Sequence, residues 1–171
     1  KNLILTGMMG VGKSTIGKNI AKKLKLKFID IDRIIEINEK RKIKEIFNEK
    51  GEDYFRKIEK KTTLEELKKD NSIIALGGGA FINKLIRKEI RSSCISFWLD
   101  LSLTTLLPRL KNSTKRPLLD RHNLEQSIIK IYSERKKIYN QSNYRINCNS
   151  MDKDQIMYKI IELYESSRNK V

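Results

Sequence analysis

The stretch Gly7-Met8-Met9-Gly10-Val11-Gly12-Lys13-Ser14, directly behind the apolar run Leu3-Ile4-Leu5, limits what this chain can fold into more than any other segment. It fits the spacing G-x-x-x-x-G-K-[ST], in which a strand runs through a glycine-rich loop into a helix. Glycine lets successive backbone N–H groups turn inward around phosphate oxygens, because no Cβ blocks the dihedrals this requires. The following helix points its partially positive end at the same anion. Ile16, Ile20, Ala21 and Leu24 give that helix an apolar face to bury. Lys13 is expected to reach the β- and γ-phosphates, and the Ser14 hydroxyl to take one position on Mg²⁺. A nucleoside triphosphate is the predicted ligand.

The remaining pattern alternates strand and helix. Strands are expected at residues 3–5, 27–30, 72–76, 94–99 and 144–147. Helices are expected at 13–24, 33–39, 43–48, 54–67, 103–110, 124–139 and 152–165, with Lys50-Gly51-Glu52 as a break. Residues 72–76 form the kind of continuous apolar run that is buried on both faces of a parallel sheet. This alternation predicts an open parallel α/β sheet in one domain spanning residues 1–171. Ligands of such sheets lie beyond the carboxyl ends of the strands. The loop at Gly7, the Asp30-Ile31-Asp32 segment and Gly77-Gly78-Gly79 all follow strands, so they should converge on one pocket.

A chain of 171 residues, 39% hydrophobic, can bury one full core, and it contains no apolar run near a membrane span. Cys94 and Cys148 make neither a disulfide framework nor a metal site, and Cys94 is expected to pack in a strand. The expectation is a soluble cytoplasmic enzyme. Lys+Arg outnumber Asp+Glu by 37 to 21, a net charge of +16. The lysines are scattered along the chain rather than interleaved with aromatics in one stretch. Solvated helix faces are therefore expected, with no nucleic-acid or membrane partner. The charge should still speed capture of small anions. With no second exposed apolar stripe, a monomer is expected.

Further residues bear on the acceptor. Asp30 and Asp32, two apart on an extended strand end, would face the same way. One could support Mg²⁺ through water while the other accepts a hydroxyl proton; alternatively, Asp32 only caps the helix at Arg33. Arg56 is either a solvated surface charge or a guanidinium that grips a carboxylate with paired hydrogen bonds. Three glycines at a strand end let a ligand approach bare backbone. Arg116, beside Pro117 in a polar segment, suits a lid over phosphates, and Arg135 offers another guanidinium. His122 is assigned no role.

In their order and spacing these elements resemble the shikimate kinases over nearly the whole chain. The residues that carry the likeness are Gly7–Ser14, Asp30-Ile31-Asp32, Phe55-Arg56 with Glu59, Gly77-Gly78-Gly79, Arg116-Pro117-Leu118-Leu119, and Glu134-Arg135 with Tyr139. The resemblance implies a nucleoside-monophosphate-kinase-like three-layer fold with a central five-stranded parallel sheet. It also implies a substrate-binding segment at 32–60, a lid at 111–124, and ATP-dependent phosphorylation of the shikimate 3-hydroxyl. It implies Gly10, Val11, Gly12, Lys13, Ser14 and Thr15 as the triphosphate cradle, with Mg²⁺ on Ser14 and on Asp30 through water. Asp32 would be base and hydroxyl ligand, Arg56 and Arg135 would hold the carboxylate, and Gly77, Gly78 and Gly79 would line the ring. Arg116 would face the phosphates and Arg109 the adenine.

The chain departs from the family pattern at Lys136-Lys137, where Asn-Pro is common, so a looser seat for Arg135 is expected. It departs again at Ser150-Met151-Asp152-Lys153, opposite the adenine. Rival readings are a small kinase acting on gluconate or a nucleoside monophosphate, and a nucleotide switch or nucleic-acid-dependent ATPase. The chain has no guanine-specifying Asn-Lys-x-Asp segment.

Overall fold

The computed structural model describes residues 1–112 and 123–169. In chain order the elements are β1 (Asn2–Thr6), α1 (Lys13–Leu24), β2 (Lys27–Asp30), α2 (Ile31–Glu39), α3 (Ile43–Leu67) and β3 (Ser72–Ala75). A 3₁₀ turn (Ala80–Ile82) leads to α4 (Lys84–Ser93), β4 (Cys94–Asp100) and α5 (Leu103–Lys111). Then come α6 (Leu124–Tyr139), β5 (Tyr144–Asn147) and α7 (Lys153–Arg168). The strands form one five-stranded sheet in the order β2-β3-β1-β4-β5, every pairing parallel.

The strand sequences account for their places. β1, β3 and β4 are buried at every position, as strands covered by helices on both faces must be. β2 and β5 carry Lys27 and Arg145 and are each buried at a single position, which suits the two edges. Order reverses around β1: its neighbours are β3 and β4, and Leu5 is in register with Ala75 and with Phe97. The Leu76 N–H continues the ladder onto the Leu5 carbonyl at 3.0 Å, so the loop after β1 and the glycines after β3 start side by side.

Three expectations need correction. Asp32 is not on an extended strand end: β2 stops at Asp30, and Asp32 lies in the first turn of α2. The cap of α2 is Asp30, whose carboxylate accepts from the Arg33 N–H at 3.3 Å, so Asp32 is released from that duty. The expected break at residues 50–52 narrows to Gly51, whose φ of 82° and ψ of 170° interrupt α3. Finally, α4 and the 3₁₀ turn fill a stretch for which no element was expected. Asn83 caps α4 by accepting from the Leu85 and Ile86 N–H groups, while Ile86 and Ile90, one turn apart, bury its inner side. Five of its ten residues, Lys84, Arg87, Lys88, Glu89 and Arg91, are basic or acidic, which blurs the apolar period.

Candidate active site

The loop between β1 and α1 is shaped by its glycines. At Gly7, with φ of 135°, a Cβ would fall 2.6 Å from the Leu99 carbonyl oxygen, so only glycine lets β4 pass this close. Gly12, in the left-handed region, ends the loop as the N-cap of α1 without a side-chain cap. The first turns of α2, α4 and α7 are capped by Asp30, Asn83 and Asp152. The first turn of α1 has no acidic residue either, which leaves its N–H groups to an anion. The Lys13 ammonium donates to the Gly7 and Met8 carbonyls, both at 2.8 Å, and so sits at the mouth of the loop. Ser14 Oγ donates to Asp30 Oδ2 at 2.6 Å, which unites a hydroxyl and a carboxylate from α1 and the end of β2.

These groups line a recess of about 310 Å³ that also includes Asp32, Gly77 and Gly78. Arg109, on α5, donates to the Gly10 carbonyl at 3.2 Å at the outer side of the loop. Val11 is buried, so it can offer a ligand only its backbone; Thr15 is exposed.

The glycine triplet is where the charged side chains meet. A Cβ on Gly77 would lie 2.7 Å from Asp32 Oδ1 and 3.0 Å from Glu59 Oε2. On Gly78 it would lie 3.3 Å from Arg135 Nη1 and 3.3 Å from the Met9 nitrogen of the phosphate loop. On Gly79 it would lie 2.6 Å from Arg56 Cζ, inside the guanidinium's own space. Asp32, Arg56 and Arg135 therefore face one turn, next to the phosphate loop. A second recess of about 390 Å³ opens there, lined by Arg56, Glu59, Gly79, Glu134 and Arg135. A wider cleft runs along the β2 edge beneath α2 and touches the site only at Asp30 and Asp32.

Electrostatics hold this arrangement. Arg56 Nη1 donates to Glu59 Oε1 at 2.7 Å, and its Nε reaches Glu52 Oε1 at 3.4 Å. Burial works against the Arg56 charge, but the two carboxylates outweigh it and raise its pKa. Glu59 is only 3% exposed, and there the balance reverses. Burial, seconded by Asp32, pushes its carboxyl up against the pull of Arg56 and Arg135.

Glu59 and Tyr139 belong to the site although no role was read for them in the sequence. Tyr139 is 1% exposed, and its hydroxyl donates to the Gly78 carbonyl. Glu59 follows Arg56 by three residues, the interval at which helical side chains meet, and that spacing was the available signal for its pairing. Tyr139 follows Arg135 by four, which gives the same kind of signal.

Lys136 and Lys137 are exposed, and the seat of Arg135 is made by Gly78 and Tyr139 instead. In the departing segment at 150–153, Asp152 caps α7 in a reciprocal box with Gln155. Both thiols are free and buried, and burial pushes Cys148 up to about 12. Arg116, Pro117, Leu118, Leu119 and His122, and with them most of the expected lid, lie outside the described residues.

The family model described as Shikimate kinase matches residues 9–165. A shikimate kinase of Sulfurihydrogenibium sp. is 42% identical over 94% of this chain and 96% of its own length. Another, of Persephonella marina, is 40% identical over 94% of this chain and 97% of its own. The solved structure of shikimate kinase from Acinetobacter baumannii in complex with shikimate superposes with a TM-score of 0.92 at 30% identity. It covers 97% of this chain and 93% of that one. The chain belongs to the shikimate kinase family.

Proposed function

We propose that this member of the shikimate kinase family transfers the γ-phosphoryl group of ATP to the 3-hydroxyl of shikimate, giving shikimate 3-phosphate and ADP. The reading is carried by one observation: Arg56, Arg135 and Asp32 converge on Gly77–Gly79 beside the phosphate loop. Paired guanidiniums suit a planar carboxylate, and an aspartate opposite them suits a hydroxyl.

In this proposal the loop N–H groups and Lys13 hold the phosphates and offset charge that spreads onto their oxygens during transfer. Gly10, Val11, Gly12 and Thr15 act chiefly through backbone. Arg109 borders the nucleotide base, and Arg116 serves the phosphates from a lid at 111–124. Arg56 and Arg135 clamp the acid so that its 3-hydroxyl oxygen can attack phosphorus in line, while Asp32 accepts the hydroxyl proton and ADP leaves. Glu59 keeps the Arg56 fork aimed.

Magnesium favours a few hard oxygen ligands together with phosphate and water, and the Ser14–Asp30 pair supplies oxygens of that kind. Ser14 would bind the ion directly and Asp30 through water. When bound, the ion supplies charge neutralisation across the β- and γ-phosphates.

A cytoplasmic monomer, organised as one kinase domain with its acceptor segment at 32–60, completes the reading. The free, buried cysteines support a reducing compartment.

The test is ADP release measured in a coupled assay with shikimate, gluconate and nucleoside monophosphates as separate acceptors. Turnover with shikimate should exceed the others by orders of magnitude. Equal or greater turnover with gluconate or a nucleotide would reject the assignment.

A further inference from the structure

Tyr139 ends α6, one turn after Arg135, with its ring tilted against Trp98 of β4 at 6.1 Å between centroids. Its hydroxyl is buried among parts of both recesses. It donates to the Gly78 carbonyl, lies 4.0 Å from Met8 Sδ in the phosphate loop, and is coupled electrostatically to the Arg135 guanidinium. Burial pushes the phenol up to about 12, so it keeps its proton and remains a donor at any working pH.

Gly78 is tightly enclosed, since a Cβ there would meet both Arg135 Nη1 and the Met9 nitrogen at 3.3 Å. The carbonyl that Tyr139 grips belongs to the peptide whose N–H is that of Gly79. A trans peptide is planar, with its C=O and N–H antiparallel. Fixing the oxygen therefore fixes the direction of the Gly79 N–H, on the side of the peptide away from the phenol. Gly79 lines the recess shared by Arg56 and Arg135.

We propose that Tyr139 is a positioning residue for acid recognition: by pinning the Gly78–Gly79 peptide and backing Arg135, it presents a backbone N–H and a guanidinium together to the substrate carboxylate. The inference rests on the proposed function, because it needs a carboxylate acceptor in this recess. It assigns α6 two tasks, carrying one cation and locking the turn opposite it. A phenylalanine would keep the packing against Trp98 and lose the donor.

The test compares wild type with Tyr139→Phe in steady-state kinetics and thermal melting. The expected result is a shikimate KM raised about tenfold, with the ATP KM within about twofold and kcat within about threefold. An unchanged shikimate KM overturns the proposal. So do shikimate and ATP KM values that rise together with a fallen Tm, since that pattern belongs to general loosening. A second readout needs no variant: shikimate added to ¹⁵N-labelled wild type should shift the Gly79 amide resonance, and an unmoved Gly79 signal under saturating shikimate overturns the proposal as well. A wild-type enzyme that neither binds nor phosphorylates shikimate overturns the functional reading itself. A wild type that does both while Tyr139→Phe matches it overturns only the role of Tyr139.

Discussion

The phosphate loop offers its groups from consecutive residues, Gly7 to Thr15, whereas the adjoining recess gathers Arg56, Glu59, Gly79 and Arg135 from α3, the turn after β3 and α6, and Asp32 of α2 meets the same glycine turn from the phosphate-loop side. The loop is largely backbone, fixed by local dihedrals and by the uncapped start of α1. The recess depends on long charged side chains that would scatter without the surrounding fold, and it needs Glu59, 3% exposed, to hold one of them. A backbone site tolerates most side-chain changes and fails at its glycines. A side-chain site fails at any of several distant positions. On the proposed reading, phosphate binding is thus a local property of this chain, and acid recognition a tertiary one.

The largest effect should come where the two regions act together on the reacting atoms. Asp32→Asn keeps the shape of the acceptor site and removes the proposed base, and Lys13→Ala removes a charge from the phosphate loop. Each should lower kcat by about 10³-fold while the shikimate KM moves by less than about threefold. Single-turnover kinetics would measure this, and an Asp32→Asn enzyme with wild-type kcat would remove Asp32 from the chemistry.

A smaller effect should separate the regions cleanly. Gly79→Ala sets a methyl 2.6 Å from Arg56 Cζ, so the clamp must move. Loss of a charge-assisted contact predicts shikimate binding weakened by about 10–100-fold, with ADP affinity kept. Gly12→Ala, at a φ of 99°, strains the loop and should do the reverse. Calorimetric titration of each ligand into both variants would decide. If both variants lose both ligands, the regions are one site and the contrast is wrong.

The smallest effect concerns pH. Glu59 has its carboxyl raised by burial above the usual 4.5, with Arg56 opposing, so the native state holds this proton longer than the unfolded chain. Its contribution to stability is therefore full below pH 4.5 and declines as pH rises through the native value. Glu59→Gln should flatten the profile of Tm against pH above 4.5, whatever its constant offset. Parallel melting profiles for variant and wild type would show that Glu59 does not titrate in this way.

What the sequence revealed follows the same division. The phosphate loop was legible because its glycines and lysine are contiguous, and α1 was legible from its apolar face. Asp32 was misjudged in its setting because strand and helix abut at Asp30–Ile31, and only the hydrogen bond to the Arg33 N–H reveals which aspartate caps. Arg56 was ambiguous because a helical arginine looks alike whether it faces water or a buried glutamate. Tyr139 resembles any tyrosine on an apolar helix stripe, and its contact with Gly78 spans 61 positions that no local pattern encodes. α4 escaped because its charges crowd two buried isoleucines.

The register of β1 with β3 carries a consequence for how such an enzyme could change its substrate. Leu5 and Ala75 are paired, so the donor loop and the acceptor turn are launched from neighbouring rails of the sheet. The side chains proposed to recognise the acid are bolted on from outside those rails, by α2, α3 and α6. Lineages or designers could exchange those attachments for others while inheriting the transfer apparatus intact.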